Sequence, residues 1–290
     1  MAVRVRDCVL WVASVLLCAC AAGPSAPPAS RVTHSTPSPP RDAATAAAIA
    51  RVLEAPHRSA DNRARDEYRH PLDTLLFFGI KPDMTVVEVW PGSGGWYTEV
   101  LAPLLAERGK LYAAMPPPAP GNEYVTQGLA QFDAKLAARP DLYGKVTVTR
   151  LGPGDFSIAP PGSADMVVTF RNLHNWMNLG FEKEAFAEMF RALKSGGILG
   201  IEEHRGIADR PQDPRAVSGY VNEQYAIELI TSAGFVLEAR SEINANPKDT
   251  KDYPQGVWTL PPNYRLGERD RAKYREIGES DRFTLRFRKP

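Results

Sequence analysis

The body of this chain lacks cysteine. Its three cysteines, Cys8, Cys18 and Cys20, all lie at the start of a chain of 290 residues. This distribution excludes a disulfide framework and a cysteine-ligated metal site from the rest of the chain. The sequence also lacks a charge excess, since 35 Lys and Arg residues face 34 Asp and Glu residues, for a net charge of +1. The total charge therefore gives no indication of a nucleic-acid partner.

Long hydrophobic runs are missing as well. The apolar run Val9–Leu17 is far shorter than the roughly 20 residues that cross a bilayer. Two arginines precede this run and small residues follow it, which is typical of a secretory signal peptide over residues 1–20. The end of this segment resembles a bacterial lipobox with Cys20 as the lipid-bearing residue, and cleavage near Ala21 or Ala22 without a lipid is the alternative. We expect an exported protein, either periplasmic or anchored to the cell envelope.

The next part of the chain predicts a tether and a helical segment. Residues 21–41 are rich in Ala, Pro and Ser, a composition that cannot form a core and behaves as a semi-extended linker. Asp42 is a predicted N-cap for an alanine-rich helix that ends near Glu54. Charged residues between Arg58 and Arg69 predict a second, solvated helix. Residues 42–84 therefore form a predicted N-terminal helical segment.

From residue 85 onward, short apolar runs alternate with amphipathic helical stretches, which predicts an α/β domain over residues 85–290 with a parallel sheet. The predicted strands are Val86–Trp90, Lys110–Ala114, Val146–Thr149, Met166–Phe170, Ile198–Glu202, Phe235–Ala239 and Phe283–Arg288. The predicted helices are Tyr97–Glu107, Tyr124–Ala138, Lys183–Leu193 and Asn222–Ala233. The last strand follows a long segment without a crossover helix, so we expect it to run antiparallel.

A glycine-rich turn follows the first of these strands. Gly92 and Gly94 are not followed by the third glycine of a dinucleotide-binding loop, and no lysine follows them as a phosphate-binding P-loop requires. Both phosphate-binding interpretations are therefore excluded. An acidic strand residue, Glu88, followed by a Gly-x-Gly turn remains. Trp90 stands where such turns usually begin with glycine, which demands a wider first turn.

Glu88 and the turn Pro91–Gly94 resemble motif I of class I S-adenosylmethionine (SAM)-dependent methyltransferases. The segment Phe190–Leu199 resembles the stretch before the fifth strand of that family. More narrowly, the chain is similar to a bacterial group of predicted exported methyltransferases. The shared motifs are here Trp90–Gly94, Arg171–Trp176, Glu203-His204 and Ile277–Arg282. The resemblance implies a Rossmann-like fold whose seven-stranded sheet is mostly parallel with an antiparallel last strand and carries helices on both faces.

The resemblance also implies SAM as the cofactor and a set of residues that bind it. In the family, an acidic residue after the third strand meets the adenine amino group and an apolar neighbour contacts the ring. The implied cofactor residues are Glu88, Pro91, Gly92, Ser93, Gly94, Asp155, Phe156 and Asn172. One family feature is absent, because the second strand runs into Met115 and three prolines instead of an acidic residue that would bind the ribose.

Two histidines follow the fourth and fifth predicted strands, at the ligand edge of such a sheet. His174 and His204 are candidates for a general base that removes a proton from the methyl acceptor, and Glu203 is a candidate for orienting His204. Metal binding by these residues is a weaker alternative, because they do not have the paired spacing of metal ligands. We therefore predict no metal.

The long segment 244–282 leaves from the ligand edge and contains several prolines and aromatic residues, which predicts a lid over the acceptor. Two functions remain open on the sequence. The first is a SAM-dependent methyltransferase for a small-molecule or envelope acceptor. The second is an inactive, envelope-tethered binding protein on the same scaffold. In either case we expect no nucleic-acid partner, and membrane contact only through the lipid.

Overall fold

The computed structural model describes residues 42–290 of the chain. The predicted signal peptide, the lipidation of Cys20 and the tether lie outside the described residues. Within the described part of the chain, no helix is both long and apolar enough to cross a membrane.

Within residues 42–84, four helices precede the sheet. They are α1 (Ala43–Glu54), α2 (Ala60–Arg63), α3 (Asp66–Arg69) and α4 (Pro71–Phe78). Asp42 caps α1 as predicted, because its carboxylate accepts hydrogen bonds from the backbone N–H groups of Ala44 (3.0 Å) and Thr45 (3.3 Å).

The prediction of one solvated helix between Arg58 and Arg69 is wrong. The structure has two short helices there, and the side chains of Arg58 and Arg69 are buried, with 2% and 5% of each residue exposed. Arg58 forms a two-pronged pair with Asp66, at 2.6 and 2.8 Å. Paired arginines can be buried because their partners replace the lost water.

The sheet has eight strands in the order β4-β3-β2-β1-β5-β6-β8-β7. They are β1 (Thr85–Val89), β2 (Lys110–Met115), β3 (Thr147–Gly152), β4 (Asp155–Ser157), β5 (Ala164–Phe170), β6 (Leu193–His204), β7 (Val236–Ser241) and β8 (Arg282–Arg288). β8 is antiparallel to both β6 and β7, which confirms the predicted reversal of the last strand. The eighth strand is β4, which forms a hairpin with β3 and was not among the predicted strands.

Seven further helices complete the fold. They are α5 (Thr98–Leu105), α6 (Glu123–Ala138), α7 (Pro140–Tyr143), α8 (Leu173–Leu179), α9 (Glu182–Ala192), α10 (Glu223–Ser232) and α11 (Arg271–Ile277). A 3₁₀ helix, Gly256–Thr259, and α11 both lie within the predicted lid segment. Sequence periodicity missed α7, α8 and α11, which are too short to show a clear helical repeat.

Alternating side chains of the strands divide the core into two layers. On β1, Val87 and Val89 pack into a cluster with α8, α9 and α10, whereas Val86 packs into a second cluster with α4 and α5. Glu88 has the same parity as Val86, so its side chain points toward α5. This placement makes Glu88 a buried acid, with 1% of the residue exposed.

The parallel strands β1, β5 and β6 bring their carboxyl ends to one edge of the sheet. The glycine-rich turn leaves from the end of β1, α8 begins three residues after β5, and His204 ends β6. The fold therefore places the glycine-rich turn, the start of α8 and His204 side by side at the edge where such sheets commonly bind ligands.

Candidate functional site

The glycine-rich turn between β1 and α5 faces open space. Gly92 has a φ of +74°, a conformation that side chains rarely adopt. A Cβ atom added at Gly92 or at Gly94 would meet no atom within 4 Å. The backbone of the turn therefore forms one wall of a cavity, and a ligand can approach it without meeting a side chain.

Trp90 occupies the position of the missing first glycine, and it adopts the left-handed conformation (φ +49°) that a glycine there would favour. Its indole N–H donates to the carbonyl of Leu151 at the end of β3 (2.8 Å). The ring packs edge-on against Trp176, with 6.1 Å between centroids, and lies 5.9 Å from Phe181. These contacts offset the backbone strain at Trp90. The sequence predicted a wider turn at this position, and in the structure the turn is accommodated by the left-handed conformation of Trp90.

Glu88 lies beneath this turn. Its carboxyl accepts a hydrogen bond from the Thr98 hydroxyl (2.7 Å) at the start of α5. Burial raises the pKa of Glu88 to about 8, because removal of the carboxylate from water outweighs this hydrogen bond and the attraction of Lys135. Near neutral pH the cavity therefore has a protonated acid at its base, which ionises readily if a cation binds beside it.

The cavity at the turn has a volume of about 480 Å³. Its lining includes most of the predicted site residues, namely Glu88, Pro91, Gly92, Ser93, Gly94, Asn172, His174 and His204. A second cavity of about 400 Å³ adjoins it and shares Trp90, Gly92, Ser93, Tyr124, Asn172 and Asn175. Together the two spaces form a cleft along the carboxyl edge of the sheet.

The second cavity lies at the end of β2, where the sequence lacked an acidic residue. Met115 and Pro116 line it, and no Asp or Glu side chain does among the described residues. Amide side chains line it instead, from Asn122, Gln127, Gln131, Asn172, Asn175 and Asn178. A ligand with hydroxyl groups would meet neutral amides here, which donate and accept hydrogen bonds without a charge.

Asn172 is held rigidly between the strands. Its side-chain NH₂ group donates to the carbonyls of Val89 (3.0 Å) and Trp90 (3.1 Å) and to the Thr169 hydroxyl (3.1 Å). Asn172 therefore fixes the start of the glycine-rich turn, and its carbonyl oxygen remains for a ligand.

Asp155 and Phe156 are placed differently from the other predicted cofactor residues. Both belong to β4, and neither lines either cavity. The Asp155 carboxylate bonds to the Ser157 hydroxyl, and the Phe156 ring packs against Phe181 with 6.0 Å between centroids. The hairpin with β3 turns these side chains away from the cleft, while the Trp90 indole occupies the end of β3.

His174 and Glu203 form a buried pair. His174 is the second residue of α8, and its Nδ1 lies 3.0 Å from Glu203 Oε1 at the end of β6. Glu203 also accepts backbone hydrogen bonds from His174 (3.3 Å) and His204 (2.8 Å). Because an ionised carboxylate only accepts, the neutral tautomer of His174 that fits this contact has its proton on Nδ1 and the lone pair on Nε2. No described residue bonds to this Nε2, and the ring lines the first cavity.

The prediction that Glu203 orients His204 is replaced by this pairing with His174. His204 Nδ1 instead contacts the Ser280 hydroxyl (2.5 Å), just before β8. Burial, the neighbouring His174 and the nearby arginines hold the pKa of His204 well below its usual range. His204 is therefore neutral, and the two rings lie 5.3 Å apart between centroids.

These three side chains could also meet at a metal ion. His174, Glu203 and His204 each offer a ligand atom, and the three atoms lie within 4.8 Å of one another. The surrounding charges oppose this role, because Arg69, Arg171 and Arg282 all act on His204 as positive charges. A divalent cation would be repelled by the same groups, so we assign no metal to this site.

The arginines beside the cavity were not predicted from the sequence. Arg65 and Arg69 reach the cavity from α3 and its N-cap, and Arg171 reaches it from the end of β5. They join Arg282 in one ion-pair network with the buried carboxylates of Glu202 and Glu279. Glu202 and Glu279 lie far in sequence from most of the arginines they pair with. The sequence shows a run of charged residues, but only the tertiary contacts show that these residues form one cluster.

Part of the predicted lid lines the cavity. Its contribution consists of Val257, Trp258, Pro261, Pro262 and Asn263, with Glu279 and Ser280 near the end of the segment. The Trp258 ring lies edge-on to His174, with 5.9 Å between centroids, and the Arg265 guanidinium covers another part of the indole at 4.4 Å. The lid thus places an apolar wall next to the histidine pair.

Comparisons with known proteins support the fold. No family model matches the chain, and no curated protein matches it either. A SAM-dependent methyltransferase from Aquifex aeolicus has a TM-score of 0.50 and 19% identity, over 84% of this chain and 98% of that one. A phosphoethanolamine N-methyltransferase from Haemonchus contortus, solved with S-adenosyl-L-methionine, has a TM-score of 0.50 and 16% identity, over 84% of this chain and 60% of that one.

A third solved structure, the [4+2]-cyclase SpnF, has a TM-score of 0.53 and 18% identity, over 82% of this chain and 85% of that one. The chain thus has the Rossmann-like fold of class I methyltransferases, as predicted. Because a protein described as a cyclase shares this fold, the reaction has to be argued from the site itself.

Proposed function

We propose that this protein is a SAM-dependent methyltransferase that acts on a small-molecule or envelope acceptor. The glycine-rich turn carries the proposal. The turn lines a cavity of about 480 Å³, and a Cβ atom added at Gly92 or Gly94 would meet no protein atom within 4 Å. Glu88 lies directly below the turn. A backbone wall beside a buried acid suits an amino acid moiety, because the acid can pair with its ammonium group.

The chain offers a partner for each part of the cofactor. When bound, SAM supplies an electrophilic methyl group. Glu88 would meet the ammonium group, and Arg69, whose guanidinium has no hydrogen-bond acceptor among the described residues, would bind the carboxylate. The second cavity would hold the adenosine between Met115 and the amide side chains. Asp155 and Phe156 have no role in this proposal.

His174 is the proposed general base. Glu203 holds the proton on Nδ1, so the free Nε2 can accept a proton from a hydroxyl or amine acceptor. The His204 and Trp258 rings pack against the His174 ring and hold it at the cavity. Glu203 acts on the reaction only through His174 and is a positioning residue.

The substitution Gly92→Val is expected to lower the affinity for S-adenosylhomocysteine about 100-fold, from a roughly micromolar dissociation constant. The added side chain would enter the cavity, and valine is strained at a φ of +74°. Calorimetric titration of the full chain measures both affinities.

Gly162→Val is the matched control. Gly162 has a φ of +62° and open space around its Cβ direction, but it lines neither cavity. An equal loss in both variants would show that backbone strain alone is responsible. No binding by the unchanged protein would refute the cofactor site.

The inactive binding protein that the sequence left open gains no support from the comparisons, and we do not propose it. We do propose membership in the bacterial group of exported methyltransferases, on the motif resemblance described above. All four motifs of that group, Trp90–Gly94, Arg171–Trp176, Glu203-His204 and Ile277–Arg282, contribute residues to the lining of one cavity.

Export and lipidation at Cys20 complete the proposal. Cys20→Ser is expected to move the protein from the membrane fraction to the soluble fraction of cells, because the lipid is its one proposed anchor. Immunoblots of fractionated cells measure this, with Cys8→Ser as the control. An unchanged distribution of the Cys20 variant would favour cleavage without a lipid.

A further inference from the structure

The wall of the first cavity carries an excess of positive charge. Among the described residues, four guanidinium groups, from Arg65, Arg69, Arg171 and Arg282, form ion pairs with the two carboxylates of Glu202 and Glu279. The network therefore holds two more cations than anions, and the neighbouring Glu203, which bonds to histidines and not to an arginine, can offset one of them. Glu88 does not offset them near neutral pH, because burial raises its pKa to about 8.

Bound SAM would neutralise only part of this excess. Its carboxylate can pair with one guanidinium, which we assigned to Arg69. Its ammonium and sulfonium groups add two positive charges, of which an ionised Glu88 can offset one. With Glu203 counted, one positive charge still has no partner, which is costly for a buried group, and an anionic acceptor can supply that partner.

Arg171 is the guanidinium closest in the chain to the proposed base. It lies three residues before His174 and has the left-handed φ of +60°, which turns the chain from β5 into α8. Its Nη1 donates to Glu202 (2.5 Å), and the other two nitrogens have no acceptor among the described residues. Arg171 lines the cavity, so these nitrogens are available to a ligand.

The opposite side of this space is apolar. Val257, Trp258, Pro261 and Pro262 of the lid line it, and Trp258 lies edge-on to His174. An acceptor between the two walls would place an apolar body against the lid and a negative group against Arg171. The nucleophile would then lie near His174 Nε2.

We propose that the methyl acceptor is an organic oxyanion, a carboxylate or a phosphate monoester with an apolar body, whose anionic group Arg171 binds. This inference rests on the proposed function and specifies its substrate class. In the reaction, the acceptor nucleophile forms a bond to the methyl carbon as the sulfur–methyl bond breaks. The proton of the nucleophile passes to His174, and S-adenosylhomocysteine leaves.

Calorimetry of the full chain with three small probes tests the inference. Benzoate, phenyl phosphate and the neutral benzamide are titrated with and without saturating S-adenosylhomocysteine. We expect both anions to bind about tenfold or more tightly than benzamide, because a charge-assisted hydrogen bond is lost with the amide. The tighter of the two anions identifies the headgroup.

Arg171→Gln is expected to weaken the binding of the anions about tenfold or more, and to change the affinity for S-adenosylhomocysteine less than about threefold. Arg171→Gln leaves Glu202 paired with Arg282 at 3.0 Å, so no carboxylate loses its last partner. Arg171→Lys keeps the charge and is expected to retain part of the affinity. Arg265→Gln is the matched control, because Arg265 contacts Trp258 but does not line the cavity.

Equal binding of benzoate and benzamide would overturn the inference, as would anion binding that neither Arg171 variant changes. Failure of the proposed function has a different signature. In that case S-adenosylhomocysteine does not bind, while the anions still bind to the protein alone in an Arg171-dependent manner.

Discussion

Replacement of Glu203 by glutamine is expected to lower the rate of methyl transfer by about 10² to 10⁴, the usual contribution of a positioned general base. Glu203 accepts hydrogen bonds from His174 Nδ1 and from two backbone N–H groups. Glutamine has one carbonyl oxygen, so its NH₂ group has to face one of these donors. His174 Nδ1 and the His204 N–H both bond to Oε1, so the carbonyl oxygen of glutamine keeps that position and its NH₂ group faces the backbone N–H of His174. The variant therefore loses the negative charge that stabilises the imidazolium formed when His174 accepts a proton.

This change can be measured without the acceptor. Proton NMR of the imidazole N–H groups reports the hydrogen bond of His174 Nδ1, and we expect this resonance to move upfield in Glu203→Gln, because a neutral amide oxygen is a weaker acceptor than a carboxylate. The same substitution at Glu242, an exposed partner of Arg205, is the control and should leave His174 unchanged. An unaltered His174 Nδ1–H resonance in Glu203→Gln would contradict the proposed role of Glu203.

Glu88→Gln is expected to stabilise the free protein, and increasingly so as the pH rises. The pKa of Glu88 is about 8 in the folded protein, above the ordinary value of 4.5. Between these values the folded state binds more protons than the unfolded state, so the unchanged protein loses stability as the pH rises through this window. At about 1.4 kcal/mol per pKa unit, the full loss has an upper limit of about 5 kcal/mol.

Glutamine resembles the protonated acid and does not titrate, so the variant escapes this loss. The difference in unfolding free energy between the two proteins should therefore be small near pH 4.5 and reach its maximum above pH 8. Urea unfolding across this range measures it, and comparison of the two proteins cancels the other titrating groups. A difference independent of pH would show that Glu88 ionises normally in the folded protein.

The same substitution is expected to weaken ligand binding. If Glu88 pairs with the ammonium group of the cofactor, the affinity of the unchanged protein for S-adenosylhomocysteine should increase as the pH rises toward 8. The variant should bind about tenfold or more weakly at pH 8. The acid would thus cost stability in the free protein and contribute affinity in the complex, as buried functional groups often do.

The sequence by itself determined the sheet and the turn. Strands such as Val86–Val89 show short apolar runs between helical stretches, and backbone geometry permits few arrangements of that pattern. The long segment before β8 indicated the reversed strand correctly, because a parallel return needs a crossover. Gly92 and Gly94 predicted a turn that a ligand can approach, and in the structure this turn lines a cavity with open space at both glycines.

Only the tertiary structure decided how the side chains pair. Glu203 bonds to His174, 29 residues away, and its sequence neighbour His204 contacts Ser280, 76 residues away, because the fold brings the start of α8 and the segment before β8 to the end of β6. Arg65 pairs with Glu279 across 214 residues, so a charge run typical of a solvated helix became a buried cluster. Local patterns set backbone conformation, but pairing between distant side chains depends on which elements the folded chain brings together.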